Sequence, residues 1–501
     1  MASLPTSLHF VLFPLMTQGH MIPMVDIARL LAERGSMVTI ITTPINANRF
    51  KPVTDRAIKD QLKIHILELQ LPLTEVGLPE GCENFDLISS QKLFSKLFMA
   101  ATMLEEPAEI MLRGLTPAPS CIISDNLFAW TNNIAQKFNI PRLVFHGPGC
   151  FTVLCMHIAM YTKILHDIVS DSEYFVLPGL QDRIELTIMQ ACSWGGKDAK
   201  EAAAFVDGLL KAEQDANGIV VNSFQELEPY YVEELAKVKG KKVWCIGPVS
   251  LCNKSFLDIA ERGSKGGINE HDCLKWLDSR EPESVIFVCL GSLARVATEQ
   301  NIELGLGLES SKKPFLWCIR HSTDELERWL IEEGYEERVK DRGLIIRGWA
   351  PQVLILSHQA VGGFVTHCGW NSTLEGISAG VLMITWPHFA DQFINERFIV
   401  DVLKIGVKIG MEVPVVVGDQ DKFGVVVNKE DIERSIEDLM DEGEEGKARR
   451  KRSRELREMT KMSMEDGGSS HLNMTSMIQD VVELLNKNLA PPIQDGIVSK
   501  G

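Results

Sequence analysis

Residues 362–376 read GGFVTHCGWNSTLEG, and this stretch decides how the chain is built. An apolar run of strand character ends in a histidine and a glycine-containing turn, and a helix opens on Asn371, Ser372 and Thr373. Strand, turn and hydroxyl-rich helix start make the repeating unit of a doubly wound parallel sheet. Such a helix start aims backbone N–H groups and the positive end of the helix dipole at one point. The expected occupant of that point is an anion.

Working outward, the same pattern recurs on both sides. In the second half SVIFVCL (284–290), PFLWCI (314–319), GLIIR (343–347), GGFVT (362–366) and VLMIT (381–385) read as strands with helical text between them. In the first half HFVLFPL is a strand, TQGHMIP a turn and MVDIARLLAERG a helix, followed by the strand SMVTIITT. The helix reading rests on Pro23 near its start, on Met24, Ile27, Ala28 and Leu31 along one face, and on Gly35 as its stop. CIIS (121–124), RLVF (142–145), GIVV (218–221) and VWCI (243–246) continue the series. Residues 251–275 are polar and glycine-containing and read as a linker. A chain of 501 residues exceeds one core, so the division predicted is 1–250, linker 251–275, 276–470, a packing helix within 471–490 and a disordered tail 491–501.

The formal net charge of −17 argues against a nucleic-acid partner and leaves small molecules as the expected ones. Eleven cysteines without CxxC or zinc-finger spacing fit reduced thiols, and the opening apolar run is too short for a membrane span, so a cytoplasmic protein without integral membrane association is expected. The basic run KARRKRSRE (447–455) sits beside excess acid and reads as a solvated helical face. GLGLES (305–310) precedes a strand instead of following one, which excludes it as a dinucleotide loop, and no P-loop, HExxH or GxSxG text is present.

From Trp349 to Gln392 the sequence is WAPQVLILSHQAVGGFVTHCGWNSTLEGISAGVLMITWPHFADQ. It resembles the plant secondary-product glycosyltransferase signature, the donor box of UDP-sugar-dependent family 1 glycosyltransferases. FPLMTQGHMIPMVDIARLL, CIISDN, VNSFQELEPYY and VCLGS are similar to the same family, above all to its members acting on triterpenoids, flavonoids and hormone-like alcohols. The resemblance implies the GT-B fold, an α/β architecture of two facing Rossmann-like domains with donor in the C-terminal one and acceptor in the N-terminal one. It implies a UDP-sugar as co-substrate, no tightly bound cofactor, no metal, and a monomer.

A UDP-sugar presents a flat base, a ribose diol, a charged pyrophosphate and a polyhydroxyl sugar. The resemblance assigns Trp349 to stack the uracil, the Ala350 backbone to the uracil edge and Gln352 to the ribose. Glu375 carries two readings: the third helical residue of a capping box, Ser372-x-x-Glu375, or the carboxylate that takes the ribose hydroxyls. His367, the turn at Gly369, Asn371, Ser372 and the helix start form the expected anion site, helped by Ser292 of VCLGS. Trp370, Asp391 and Gln392 are assigned to the sugar, and a terminal glutamine in this box is associated with glucose, so UDP-glucose is the expected donor.

A lone histidine in a turn reads more readily as structural than as catalytic. The family pattern reverses that for His20, which matches the family's base, with Asp125 as the carboxylate that orients it. The expected reaction moves a sugar onto a hydroxyl or carboxyl of an apolar small molecule with inversion. Alternatives are a glucuronosyl- or galactosyltransferase of the same fold, or an inactive sugar-nucleotide-binding relative. For the acceptor walls, residues 80–100 and 170–200 are candidates, with Leu127, Phe128, Phe145 and His146. Gln359 and Leu382 stand where proline is common and are expected to alter loop stiffness only. His388, where leucine is common, either touches sugar or acceptor or faces the surface.

Overall fold

Val-, Ile- and Leu-rich runs alternate with helical segments along the whole chain, whose computed structural model describes residues 8–161, 168, 170–191, 200–263 and 267–489. In chain order β1 (His9–Phe13), β2 (Met37–Thr42), β3 (Ile64–Glu68), β4 (Cys121–Asp125) and β5 (Arg142–His146) precede a small antiparallel hairpin, β6 (Tyr174–Val176) and β7 (Glu185–Thr187). β8 (Gly218–Val221) and β9 (Val243–Cys245) complete a seven-stranded parallel sheet of order β3-β2-β1-β4-β5-β8-β9. The second sheet has six parallel strands, β10 (Val285–Cys289), β11 (Phe315–Ile319), β12 (Gly343–Arg347), β13 (Val361–Thr366), β14 (Leu382–Thr385) and β15 (Gly406–Lys408), in the order β12-β11-β10-β13-β14-β15. Every residue of β1, β4, β5, β8, β10 and β11 is buried, which is why these strands read as unbroken apolar runs: helices cover both faces.

In each sheet the strand order reverses beside the first strand, between β1 and β4 and between β10 and β13. At such a reversal the loops leaving adjacent strands diverge and open a crevice at the carboxyl edge. Both crevices open onto one shared cavity.

Three readings are corrected here. The helix after β1 runs Gln18–Glu33, so His20 lies in its first turn and not in a turn ahead of it. Thr17, extended at φ −140°, is the cap residue, and its carbonyl accepts from the N–H groups of His20 (3.1 Å) and Met21 (2.9 Å). Pro23, read as lying near the helix start, sits within the helix and has no N–H to give to the Gly19 carbonyl; Asn371 Nδ2 from the other half of the molecule donates there instead. The strands β3 and β15 and the β6–β7 hairpin escape sequence reading because they are short or at sheet edges, where exposed residues interrupt the apolar pattern. Leu382 opens the buried strand β14 and does not belong to a loop.

Residues 251–275 are not featureless: Phe256–Ala260 is a helix capped by Ser255, and Asn269 caps a second helix, Glu270–Asp278. At the other end, the helix Ser469–Leu489 returns to the first sheet. It places Met474, Met477 and Val481 in one core with Phe10, Leu12, Val220 and Trp244, and its Asn473 Nδ2 donates to the Cys245 carbonyl at 3.0 Å. The stretch 491–501 lies outside the described residues. Among the described residues no helix is long and apolar enough to cross a membrane, and the cysteines are free thiols.

Candidate active site

Adjacent strands bring the first pair of groups together. β1 and β4 lie in parallel register, Leu12 beside Ile123, so the helix that follows β1 starts next to the end of β4. His20 Nδ1 stands 2.5 Å from Asp125 Oδ2. The other carboxylate oxygen accepts from the Leu127 N–H at 3.0 Å, and Asp125 is fully buried, so both oxygens are fixed. With Nδ1 committed, His20 turns its remaining ring nitrogen to the cavity it lines. A Cβ at residue 147 would lie 2.8 Å from His20 Nε2, so only glycine lets β5 end this close to the ring. Burial alone would lower the imidazole pKa, but the charge and hydrogen bond of Asp125, with Asp391 further off, raise it above its ordinary value.

In the second sheet the turn after β13 does not use its glycine for the left-handed position. The left-handed residue is Cys368 (φ +64°), whereas Gly369 has φ −60° and caps the helix Trp370–Ala379. Glycine is required at 369 for space: a Cβ there would lie 2.3 Å from His367 Nε2, and one on Gly291 would lie 2.5 Å from the same atom. The His367 ring is thus held between two glycines. Burial pushes it down to about 4, so it is neutral, and its buried Nδ1 has no partner among the described residues. Because the helix begins at Trp370, Ser372 is not its cap and Glu375 lies a turn inside, which removes the capping-box reading. Trp370, Asn371 and Ser372 of the first turn, whose N–H groups have no partner within the helix, line the cavity together with Ser292.

Two of the assigned side chains tie the halves together. Trp370 is buried, and its indole Nε1 donates to the Asn222 carbonyl at 2.7 Å, so what it can offer a ligand is its backbone amide. Asn371 Oδ1 accepts from Asn222 Nδ2 at 3.2 Å while its own amide reaches Gly19. Gln352 Nε2 donates to Ser372 Oγ (2.9 Å) and Glu375 Oε2 (2.8 Å), and its N–H occupies the Ala350 carbonyl at 2.8 Å. Trp349 lines the cavity with the Arg320 guanidinium 4.6 Å from its ring centre. Asp391 accepts from Asn395 Nδ2 at 2.8 Å; burial raises its pKa against the opposing charge of His20. Gln392 Oε1 accepts from the N–H groups of His388 (2.7 Å) and Phe389 (3.1 Å), which leaves its NH₂ as the free end.

His388 follows neither of its two readings. It is buried behind the cavity wall, stacked on Trp386, and burial with the nearby His367 pushes it down to about 3. Phe128 and Phe145 are also corrected: both are core residues, Phe128 against Trp130 and Phe145 edge-on behind His20 at 6.5 Å, and neither lines the cavity. Strand alternation explains the pair at the end of β5: Phe145 points to the His20 side, and His146 to the other, where it meets the cavity. Leu127 and His146 do line it.

The cavity holds about 890 Å³ and is shared by both halves. On the side of the first sheet its wall is mostly apolar, built from Phe85, Phe94, Phe98, Met156 and Leu209, so residues of the range 80–100 line it. Among the described residues of 170–200 none lines it, and 192–199 lie outside the description; residues 206–213 contribute instead. A charged cluster interrupts this wall. Glu213 bonds His146 Nε2 at 3.3 Å and Lys239 Nζ at 2.9 Å, and these partners hold its carboxyl at about 2 despite burial. The sequence reading also missed Arg262, hidden in polar text, which is buried against Glu375 Oε1 at 2.5 Å and Asp26 Oδ2 at 2.5 Å.

Comparison with known proteins agrees with this geometry. Residues 269–411 match the family described as UDP-glucoronosyl and UDP-glucosyl transferase. The chain is 59% identical over 487 residues to UDP-glycosyltransferase 73E1 of Stevia rebaudiana, covering 96% of this chain and 98% of the relative. It is 52% identical over 483 residues to UDP-glycosyltransferase 73C3 of Arabidopsis thaliana, covering 95% and 97%. The crystal structure of Glycyrrhiza uralensis UGT73P12 complexed with glycyrrhetinic acid 3-O-monoglucuronide superposes with a TM-score of 0.88 at 34% identity, over 96% of this chain and 97% of that one. Two parallel sheets sharing one cleft, and relatives this similar over nearly full length, make the chain a plant UDP-glycosyltransferase of the 73 group with the GT-B fold.

Proposed function

We propose that this glycosyltransferase moves glucose from UDP-glucose to a hydroxyl or carboxyl group of an apolar plant small molecule, such as a triterpenoid, flavonoid or hormone, with inversion at the anomeric carbon. The observation that carries the reading is the His20–Asp125 pair at 2.5 Å, opening on the same cavity as the first turn of the helix Trp370–Ala379.

In this reading His20 Nε2 takes the proton of the acceptor hydroxyl as its oxygen bonds to the anomeric carbon. Nδ1–H stays on Asp125, which stabilises the imidazolium without taking its proton. The bond from the anomeric carbon to the phosphate oxygen breaks on the opposite face, and UDP leaves with the electron pair. Charge gathers on the leaving phosphate, where neutral His367 can donate one hydrogen bond and the first-turn N–H groups add the helix dipole, equivalent to about half a positive charge. Trp349 stacks the uracil, Gln352 and Glu375 take the ribose, and Asp391 with the free NH₂ of Gln392 hold the sugar hydroxyls. The apolar wall around Phe94 and Phe98 supports an apolar acceptor. A cytoplasmic location agrees with free thiols, most of them buried.

The test is a mass-spectrometric screen of the purified protein with UDP-glucose, UDP-galactose and UDP-glucuronic acid against pooled triterpenoid, flavonoid, cytokinin and steroid alcohols. A gain of one hexose with UDP-glucose supports the proposal and names the acceptor. A preference for another donor replaces the glucose reading. UDP binding without product from any pair supports the binding-only alternative.

A further inference from the structure

The segment joining the two sheets reaches into the nucleotide site. Arg262 is buried and forked: Nη1 meets Glu375 Oε1 at 2.5 Å on the donor-side helix, and Nη2 meets Asp26 Oδ2 at 2.5 Å on the helix that also carries His20. Asp26 is held from its other oxygen by Asn253 Nδ2 at 2.8 Å, so the fork is anchored on the acceptor side. The next residue, Gly263, lies in the left-handed region (φ +94°), and a Cβ there would sit 2.5 Å from the Trp349 ring. One bend therefore sets a guanidinium against Glu375 and bare backbone against Trp349.

A carboxylate has about four acceptor positions, two on each oxygen. In Glu375 one on Oε1 is taken by Arg262 and one on Oε2 by Gln352, which leaves one on each oxygen. Two remaining acceptors, side by side and fixed in plane from both ends, match two hydroxyls on neighbouring carbons. A buried carboxylate without a cation is costly, and so is one brought near a pyrophosphate; Arg262 answers both by supplying the counter-charge. Arg262 sits about as close to Asp26 as to Glu375, so the guanidinium is shared and cannot be drawn fully to either side.

We propose that Arg262 is a positioning residue for the nucleotide: it fixes Glu375 as a two-hydroxyl acceptor for the ribose diol and makes that grip depend on the docking of the connecting segment on Asp26. The proposal rests on the reading of Glu375 as the ribose ligand. Lysine cannot replace it fully, because an ammonium on a flexible stem lacks the planar fork that spans two carboxylates.

The experiment compares inhibition by UDP and by 2′,3′-dideoxy-UDP, each competing with UDP-glucose, in the wild type and in Arg262→Met, Arg262→Lys and Glu375→Ala. The ratio of the two inhibition constants reads only the contribution of the diol, and it is independent of how much of a variant folds. The wild type is expected to prefer UDP by at least about tenfold, as for two hydrogen bonds to a charged group. Glu375→Ala should bring the ratio close to one, Arg262→Met should remove most of the preference, and Arg262→Lys should lie between. A wild-type ratio in Arg262→Met, or in Arg262→Lys if the methionine variant does not fold, overturns the proposal while a lost ratio in Glu375→Ala keeps the ribose reading. A wild-type ratio in Glu375→Ala overturns the ribose reading itself.

Discussion

His20, in the first turn of the helix that follows β1, and Asp125, at the end of the adjacent strand β4, are 105 residues apart in sequence and meet through a single 2.5 Å contact that Leu127 N–H steadies from behind. The sign of its pH dependence follows from that geometry. Asp125 raises the His20 pKa, so the basic form needed for proton removal accumulates only above the ordinary histidine value of about 6.5. kcat/KM is expected to rise with pH through a limb centred above that value. Asp125→Asn should move the limb to lower pH and reduce kcat by roughly 10²–10⁴-fold, the range known for removing such an orienting carboxylate. His20→Ala should abolish transfer and leave UDP binding near wild type, as measured by calorimetry; substantial residual transfer would exclude His20 as the base.

Gly147 offers a subtler probe of the same group. A methyl at this position would meet His20 Nε2 at 2.8 Å and Cε1 at 2.7 Å, closer than van der Waals contact allows. Gly147→Ala should displace the ring and lower kcat at least about tenfold, since small misplacements of a base are costly, with the KM for UDP-glucose little changed. A fall confined to donor KM would contradict the placement.

Gln392 has its carbonyl oxygen locked by two backbone N–H groups, so its NH₂ is the end open to a ligand. Gln392→Glu keeps the lock and removes the donor. It should weaken UDP-glucose more than free UDP in competition assays, and equal losses would show that the residue does not contact the sugar.

His388 makes a prediction about stability in place of specificity. Folding holds its ring neutral, pushed down to about 3, whereas the unfolded chain protonates it near 6.5. Its depressed value means that stability is lost as pH falls between those two values, by about 1.4 kcal/mol per pH unit. His388→Leu should therefore gain stability over the wild type as the pH is lowered from 6.5 towards 3, read by denaturant unfolding, with unchanged choice among UDP-sugars. A switch in donor preference would return His388 to the site.

The two phenylalanine classes can be separated in one experiment. Phe98 lines the cavity and Phe128 is packed behind it. Phe98→Ala should raise acceptor KM with modest effect on unfolding, whereas Phe128→Ala should cost about 3–5 kcal/mol of stability, as for truncating a buried aromatic.

Much of this was legible in the sequence, for identifiable reasons. A strand buried throughout, such as β8, shows as an unbroken apolar run, whereas β3, with His65 and Glu68 exposed, and three-residue β15 carry too little pattern. The donor segment was readable because its residues follow one strand and one helix in succession. Arg262 was not, because its partners Asp26 and Glu375 are distant in sequence and nothing local marks an arginine in polar text. Phe128 and Phe145 were misjudged for a related reason: strand and loop ends predict which residues are near a cleft, but only packing decides which side each ring takes.

The return of the helix Ser469–Leu489 to the first sheet makes the half built on the second sheet, in topological terms, an insertion within the half built on the first. The polypeptide crosses between them twice, once between β9 and β10 and once before Ser469. A chimera that exchanges the second-sheet halves of two relatives therefore needs two junctions. A single junction after β9 would import a foreign terminal helix and set its residues at 474, 477 and 481 against a core they did not evolve with, so the first-sheet half would bear the damage of a graft made in the other one.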